Sequence, residues 1–92
     1  MTLADEIREY ANQNYIDPAR NRGGVEVTIR AGDIHKRIGL SSRLPAVCGA
    51  LGTNKFEKQY GVRLVGRKGP NQGSNVFFTF KIWSWNQEDL VI

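Results

Sequence analysis

Apolar residues recur along the chain with two different periods, and each change of period marks the edge of an element. Leu3, Ile7, Tyr10, Ala11 and Asn14 trace the inner face of a first helix. Thr2 stands at its N-cap, with Asp5 reaching back in an approximate capping box. Asp17-Pro18 and then Asn21-Arg22-Gly23-Gly24 read as a loop. Val25, Val27 and Ile29 alternate with Glu26, Thr28 and Arg30, the period of a short strand. Helical spacing returns at Ala31, Ile34 and Ile38, and Gly39 stands where that helix must stop. Ser41 and Ser42 offer hydroxyl N-caps for a further helix over about Ser42–Lys55, with Leu44, Val47, Cys48 and Leu51 as its apolar stripe. Pro45 falls in its first turn, where a missing N–H removes no intrahelical bond.

Alternation then takes over. Val62 and Leu64 share one face of a strand, and Val76, Phe78, Phe80 and Ile82 share one face of its hairpin partner. The connecting segment, Gly66–Ser74, is polar and rich in glycine. Two apolar-faced helices joined by so short a turn must cross steeply.

The order helix, strand, helix, helix, β-hairpin resembles the winged helix-turn-helix family over roughly residues 3–82. The resemblance implies an α+β fold: a small winged helix domain of three helices with a two- to three-stranded antiparallel sheet. It places the whole chain, 1–92, in a single domain with a Trp-rich tail at 83–92. It also implies that the second helix of the pair enters the DNA major groove, while the hairpin loop lies against the backbone or in the minor groove. The chain departs from the pattern at His35, where a small residue is usual, and at Leu44, which comes one residue early after the turn glycine.

Charge sharpens this picture. The net charge is +4, but residues 23–82 hold ten Lys/Arg against only Glu26, Asp33 and Glu57. The positive excess therefore sits in the helix pair and hairpin, where a polyanion would dock. No apolar run approaches the ~18 residues that span a bilayer, so no membrane partner is expected. The polar, acidic start MTLADEIREY is unlike a signal peptide. One cysteine forms no internal disulfide, in keeping with a reducing cytoplasm.

On a helical wheel the face opposite the stripe carries Ser42, Ala46, Gly49, Ala50 and Thr53. Such small residues admit close approach of a DNA backbone, or equally of another protein helix. Arg43 and Asn54 flank that face and are able to make bidentate contacts to guanine or adenine. Thr53 and Ala46 or Ala50 suit thymine methyl groups. Lys36 and Arg37 before the turn, and Lys55 and Lys58 after the helix, are placed for phosphates. Arg67 and Lys68 open the wing loop, with Asn71, Gln72 and Asn75 as hydrogen-bonding companions.

Other chemistry is poorly supported. Cys48 falls within the apolar stripe and reads as an inert buried thiol. A Cys48–His35 pair lacks an orienting carboxylate, and Asp33 with His35 lacks further metal ligands. Asp33 instead suits the positive end of its helix. The glycines of GRKGPNQG lack the Lys-Ser/Thr and the helix of a P-loop. Trp83 and Trp85 share one side of an extended tail and are candidates for core cover or a homodimer contact. The expectation is a non-enzymatic, cofactor-free binder of double-stranded DNA, a small prokaryotic transcription regulator or nucleoid-associated factor. The alternatives are a winged helix used in protein–protein assembly and the DNA-reading module of a larger nucleic-acid-processing machine.

Overall fold

Thr2 starts the first helix as its hydroxyl predicts. In the computed structural model, which describes residues 2–69 and 73–83, Thr2 Oγ1 accepts from the Asp5 N–H at 3.1 Å. Asp5 Oδ2 accepts from the Thr2 N–H in return, at 3.3 Å. Helix α1, Leu3–Ala11, then buries Ile7 and Ala11. The expected loop at Asp17-Pro18 is not there. The helix widens into a π turn over Asn12–Ile16 and continues as α2, Asp17–Asn21. Proline lacks an N–H and breaks the regular ladder; the π turn, in which the Asp17 N–H reaches the Asn12 carbonyl, takes up that irregularity without ending the helix. Ile16 and Ala19, both buried, repay the continuation.

Strand β1, Glu26–Arg30, runs directly into α3, Ala31–Ile38. No side chain caps α3. Its first N–H groups are met by backbone carbonyls of the hairpin instead, Ala31 to Val76 at 2.9 Å and Gly32 to Ser74 at 3.0 Å. A Cβ at residue 32 would stand 2.7 Å from the Ser74 oxygen, so only glycine fits this approach. Gly39 closes α3 with φ of 80°, the left-handed turn expected of it.

The next stretch differs from expectation twice. Neither Ser41 nor Ser42 caps a helix: α4, Leu44–Leu51, has Arg43 at its N-cap position with no side-chain bond. Ser42 instead takes a left-handed backbone, φ 54°. The second difference is length. The expected helix over 42–55 is two, α4 and then α5, Asn54–Tyr60, so the domain has one helix more than predicted. Continuing the Leu44, Val47, Cys48, Leu51 stripe would carry Lys55 and Lys58 into the core. The break at Gly52-Thr53 shifts the phase, leaving both lysines exposed and Phe56 fully buried.

Strands β2, Val62–Lys68, and β3, Phe77–Ile82, complete an antiparallel sheet of order β1-β3-β2. All the helices lie on one face of it, a two-layer α+β arrangement that is winged-helix-like with α5 added before the hairpin. Val76, Phe78, Phe80 and Ile82 are buried on that face, as alternation predicts. Phe56 meets Phe80 edge-on, ring centres 5.1 Å apart. A bulge between Leu64 and Gly66 inserts Val65 and reverses the in–out phase of β2 beyond it. The edge of β2 is covered at one point, where Glu57 Oε2 accepts the Leu64 N–H at 2.8 Å.

Candidate nucleic-acid interface

The helix pair is held by the residue that departs from the helix-turn-helix pattern. His35 Nε2 accepts the Arg43 backbone N–H at 3.1 Å, pinning the last turns of α3 to the start of α4. A small residue could not bridge that gap. Lys36 and Arg37 at the end of α3, and Ser42 and Arg43 in the turn, are all exposed. The outward face of α4 is narrower than the helical wheel suggested. Gly49 is exposed with open space before it. Ala46 is half-buried against the core, and Ala50, at 3% exposure, belongs to the core itself. Ala50 is therefore withdrawn as a thymine contact. The crossing of α4 over both α1 and α3 covers it.

Thr53 and Asn54 are exposed at the junction of α4 and α5. Thr53 Oγ1 donates to the Ala50 carbonyl at 3.0 Å, satisfying an end of α4. Lys55 and Lys58 sit on α5 beside a shallow groove that Asp5 and Glu9 of α1 also line. Lys55 Nζ is 3.7 Å from Asp5 Oδ1. The Arg8 guanidinium, 2.7 Å from Asp5, holds that carboxyl well below the usual carboxylate range, helped by the Thr2 hydrogen bonds. These two lysines thus share their surface with acids, and their pull on a polyanion is weaker than that of Lys36, Arg37 and Arg43.

The hairpin is more ordered at its root than a loop reading allows. Arg67 and Lys68 lie inside β2, paired with Phe78 and Phe77, rather than in the wing loop. The bulge turns Arg67 toward the helices. Its guanidinium stands 4.9 Å over the Phe78 ring and 3.9 Å from where a Gly52 Cβ would be, at the end of α4. Lys68 points the other way and is exposed. Asn71 and Gln72 lie outside the described residues. Asn75 Oδ1 accepts from Arg30 Nη2 at 2.7 Å, and Arg30 also pairs with Asp33 at 2.8 Å. The wing root is thus hydrogen-bonded to the start of α3 from one strand, and from the other Arg67 reaches beside the end of α4.

The remaining candidates resolve individually. Cys48 is buried, and that burial pushes its thiol up from its ordinary value. His35 Nε2 accepts the Arg43 N–H in the turn, and Asp33 Oδ1 pairs with Arg30. Trp83 is 44% exposed, with Lys81 Nζ 5.9 Å from its ring centre; Trp85 lies outside the described residues. Among the described residues no helix is long and apolar enough to cross a membrane. Sequence reasoning missed the open face of the sheet. There the residues alternating with the buried set, Arg30, Arg63, Lys68, Phe77 and Lys81, gather on one side. For all but Lys68, which the bulge at Val65 turns outward, the signal was in the same alternation, read only for its apolar half. No family model, curated protein or solved structure matches the chain.

Proposed function

We propose that the chain is a non-enzymatic binder of double-stranded DNA, presenting the α3–turn–α4 surface and the root of the hairpin to the duplex. The role that suits it is a prokaryotic transcription regulator or nucleoid-associated factor acting in the cytoplasm. One observation carries this reading: the hairpin root is hydrogen-bonded to the start of α3, Gly32 to Ser74, and Arg67 on its other strand lies beside the end of α4. Helices and hairpin root therefore form one continuous surface, which suits docking on a duplex. Lys36, Arg37, Arg43 and Lys68 supply its exposed cations. Arg43, at the head of α4, is placed to read a guanine, and Thr53 and Asn54 lie at the helix's far end. The small-residue face open to either DNA or a protein helix is narrowed, because Ala46 is half-buried and Ala50 is core, while exposed Trp83 keeps the assembly alternative as the second reading.

Fluorescence anisotropy with a random duplex at several salt concentrations tests the proposal. Four to six phosphate contacts would give a log–log slope of about −4 to −5. Absence of binding at low salt would return the assembly reading to the front.

A further inference from the structure

The helices cover only one face of the sheet. The other face is open, and its cross-strand rows are chemically organised. In the row nearest the wing, Arg30, Phe77 and Lys68 lie side by side on β1, β3 and β2. Phe77 is 40% exposed, an aromatic ring on the solvent side with a cation on each flank. In the next row Thr28 and Thr79 share a hydroxyl–hydroxyl bond of 3.0 Å beside Gly66, which leaves the floor low and flat. In the third, Arg63 and Lys81 face Glu26. Beyond it Trp83, exposed and beside Lys81, continues the same side of β3. Arg30 shares its charge with Asp33 of α3, and Glu26 is the sole acid of the described strand residues on this face.

We propose that this open sheet face binds single-stranded nucleic acid, with a base stacked on Phe77 and the backbone running between the flanking cations. Strand spacing is about 4.8 Å, so Arg30 and Lys68 stand about that far to either side of the ring-bearing strand. That is the reach of a phosphate from a base lying on the ring. A duplex does not fit, because its base faces are already stacked on each other and only an unpaired base offers one to Phe77. An acidic protein segment would match the charge but would leave the aromatic ring at the centre of the cationic row without a π partner. This face is on the opposite side of the sheet from the α3–turn–α4 surface proposed for duplex DNA; Lys68 at the hairpin root serves both readings, so Phe77 and Arg43 are the residues that separate them.

The test is anisotropy of the full chain with a labelled oligothymidylate of about 12 nucleotides, run beside the random duplex. The full chain should bind the oligomer. Phe77→Ala should weaken that binding about tenfold while leaving duplex affinity unchanged, because stacking is lost and the helix surface is untouched. Phe77→Trp should keep it, and guards against a folding defect in the alanine variant. Arg43→Ala should do the reverse, lowering duplex binding alone. Oligouridylate in place of oligothymidylate extends the test to RNA, with binding of either supporting the proposal. Failure of the full chain to bind both oligomers at low salt overturns it. So does a Phe77→Ala variant that binds as the parent does, or one that turns a sedimenting dimer into a monomer with binding unchanged, since the face would then belong to a second copy. Single-strand binding without duplex binding would sink only the duplex reading.

Discussion

Ser42 is the one non-glycine residue of the described chain with positive φ, at 54°. A left-handed L-residue carries a steric cost of about 1 kcal/mol, and here it turns the chain so that Arg43 meets His35. Ser42→Gly relieves that cost and gives back part of it as unfolded-chain entropy. The expected net is a gain of about 0.5 kcal/mol, roughly 3 °C in a thermal melt, whereas Ser42→Val should lower the melt. Asp5 makes a second residue-level prediction, this one in pH. Its folded-state pKa is depressed, first by Arg8 and then by Thr2. The stability it confers is therefore complete above the unfolded carboxylate value of about 3.9, and it is lost as pH falls through the lower folded value. Urea unfolding at neutral pH and near pH 2.5 should show parent and Asp5→Asn well separated at the first and closer at the second.

At the level of elements, the C-terminal end of α5 is closed from a distance. Arg20 of α2 donates to the carbonyls of Tyr60 at 2.7 Å and Gly61 at 3.2 Å, and to Trp83 at 3.3 Å. One guanidinium therefore joins the first helix, the last helix and the end of β3, and its positive charge sits at a helix C-terminus. Arg20→Ala should cost about 1–2 kcal/mol in denaturant unfolding. Arg20→Lys should not restore it, since an ammonium lacks the fork that spans three acceptors. Local signals gave most elements: the Thr2 cap, β1, the stop at Gly39, the α4 stripe from Val47 to Leu51 and the alternation of β3 all stand where propensity and period put them. Two of the misses share a cause. Pro18 inside a helix and the break at Gly52-Thr53 are decided by what the tertiary core must bury, whereas the bulge at Val65 buries no new residue. Ile16 and Ala19 hold the first, Phe56 the second, and the in-facing Arg67 over Phe78 accompanies the third. Lys55 and Lys58 on the continued stripe were a legible warning of the α4 break. For the site, exposed cations were readable from the sequence; which acids neighbour them, as Asp5 does Lys55, was not.

Across the whole molecule, the wing and α4 should divide the work of binding a duplex. Arg67 is a poor probe of the wing, because its guanidinium lies on Phe78 beside the end of α4 and its removal would disturb packing as well as charge. Lys68 is the cleaner one: it is exposed at the end of β2, on the side of the sheet away from the core. A flexible ammonium suits a phosphate rather than a base edge. Lys68→Ala should therefore weaken preferred and random duplexes by a similar factor and flatten the salt slope by about one. Arg43 heads a helix whose start is held by His35, so its backbone has a defined position from which the fork can be bidentate to a guanine. Arg43→Ala should cost about 1–3 kcal/mol on a preferred site and much less on random DNA. The ratio of preferred-site to random-site affinity decides the matter. If Lys68→Ala collapses that ratio while Arg43→Ala preserves it, the hairpin is the reader and α4 only the support against which it is held.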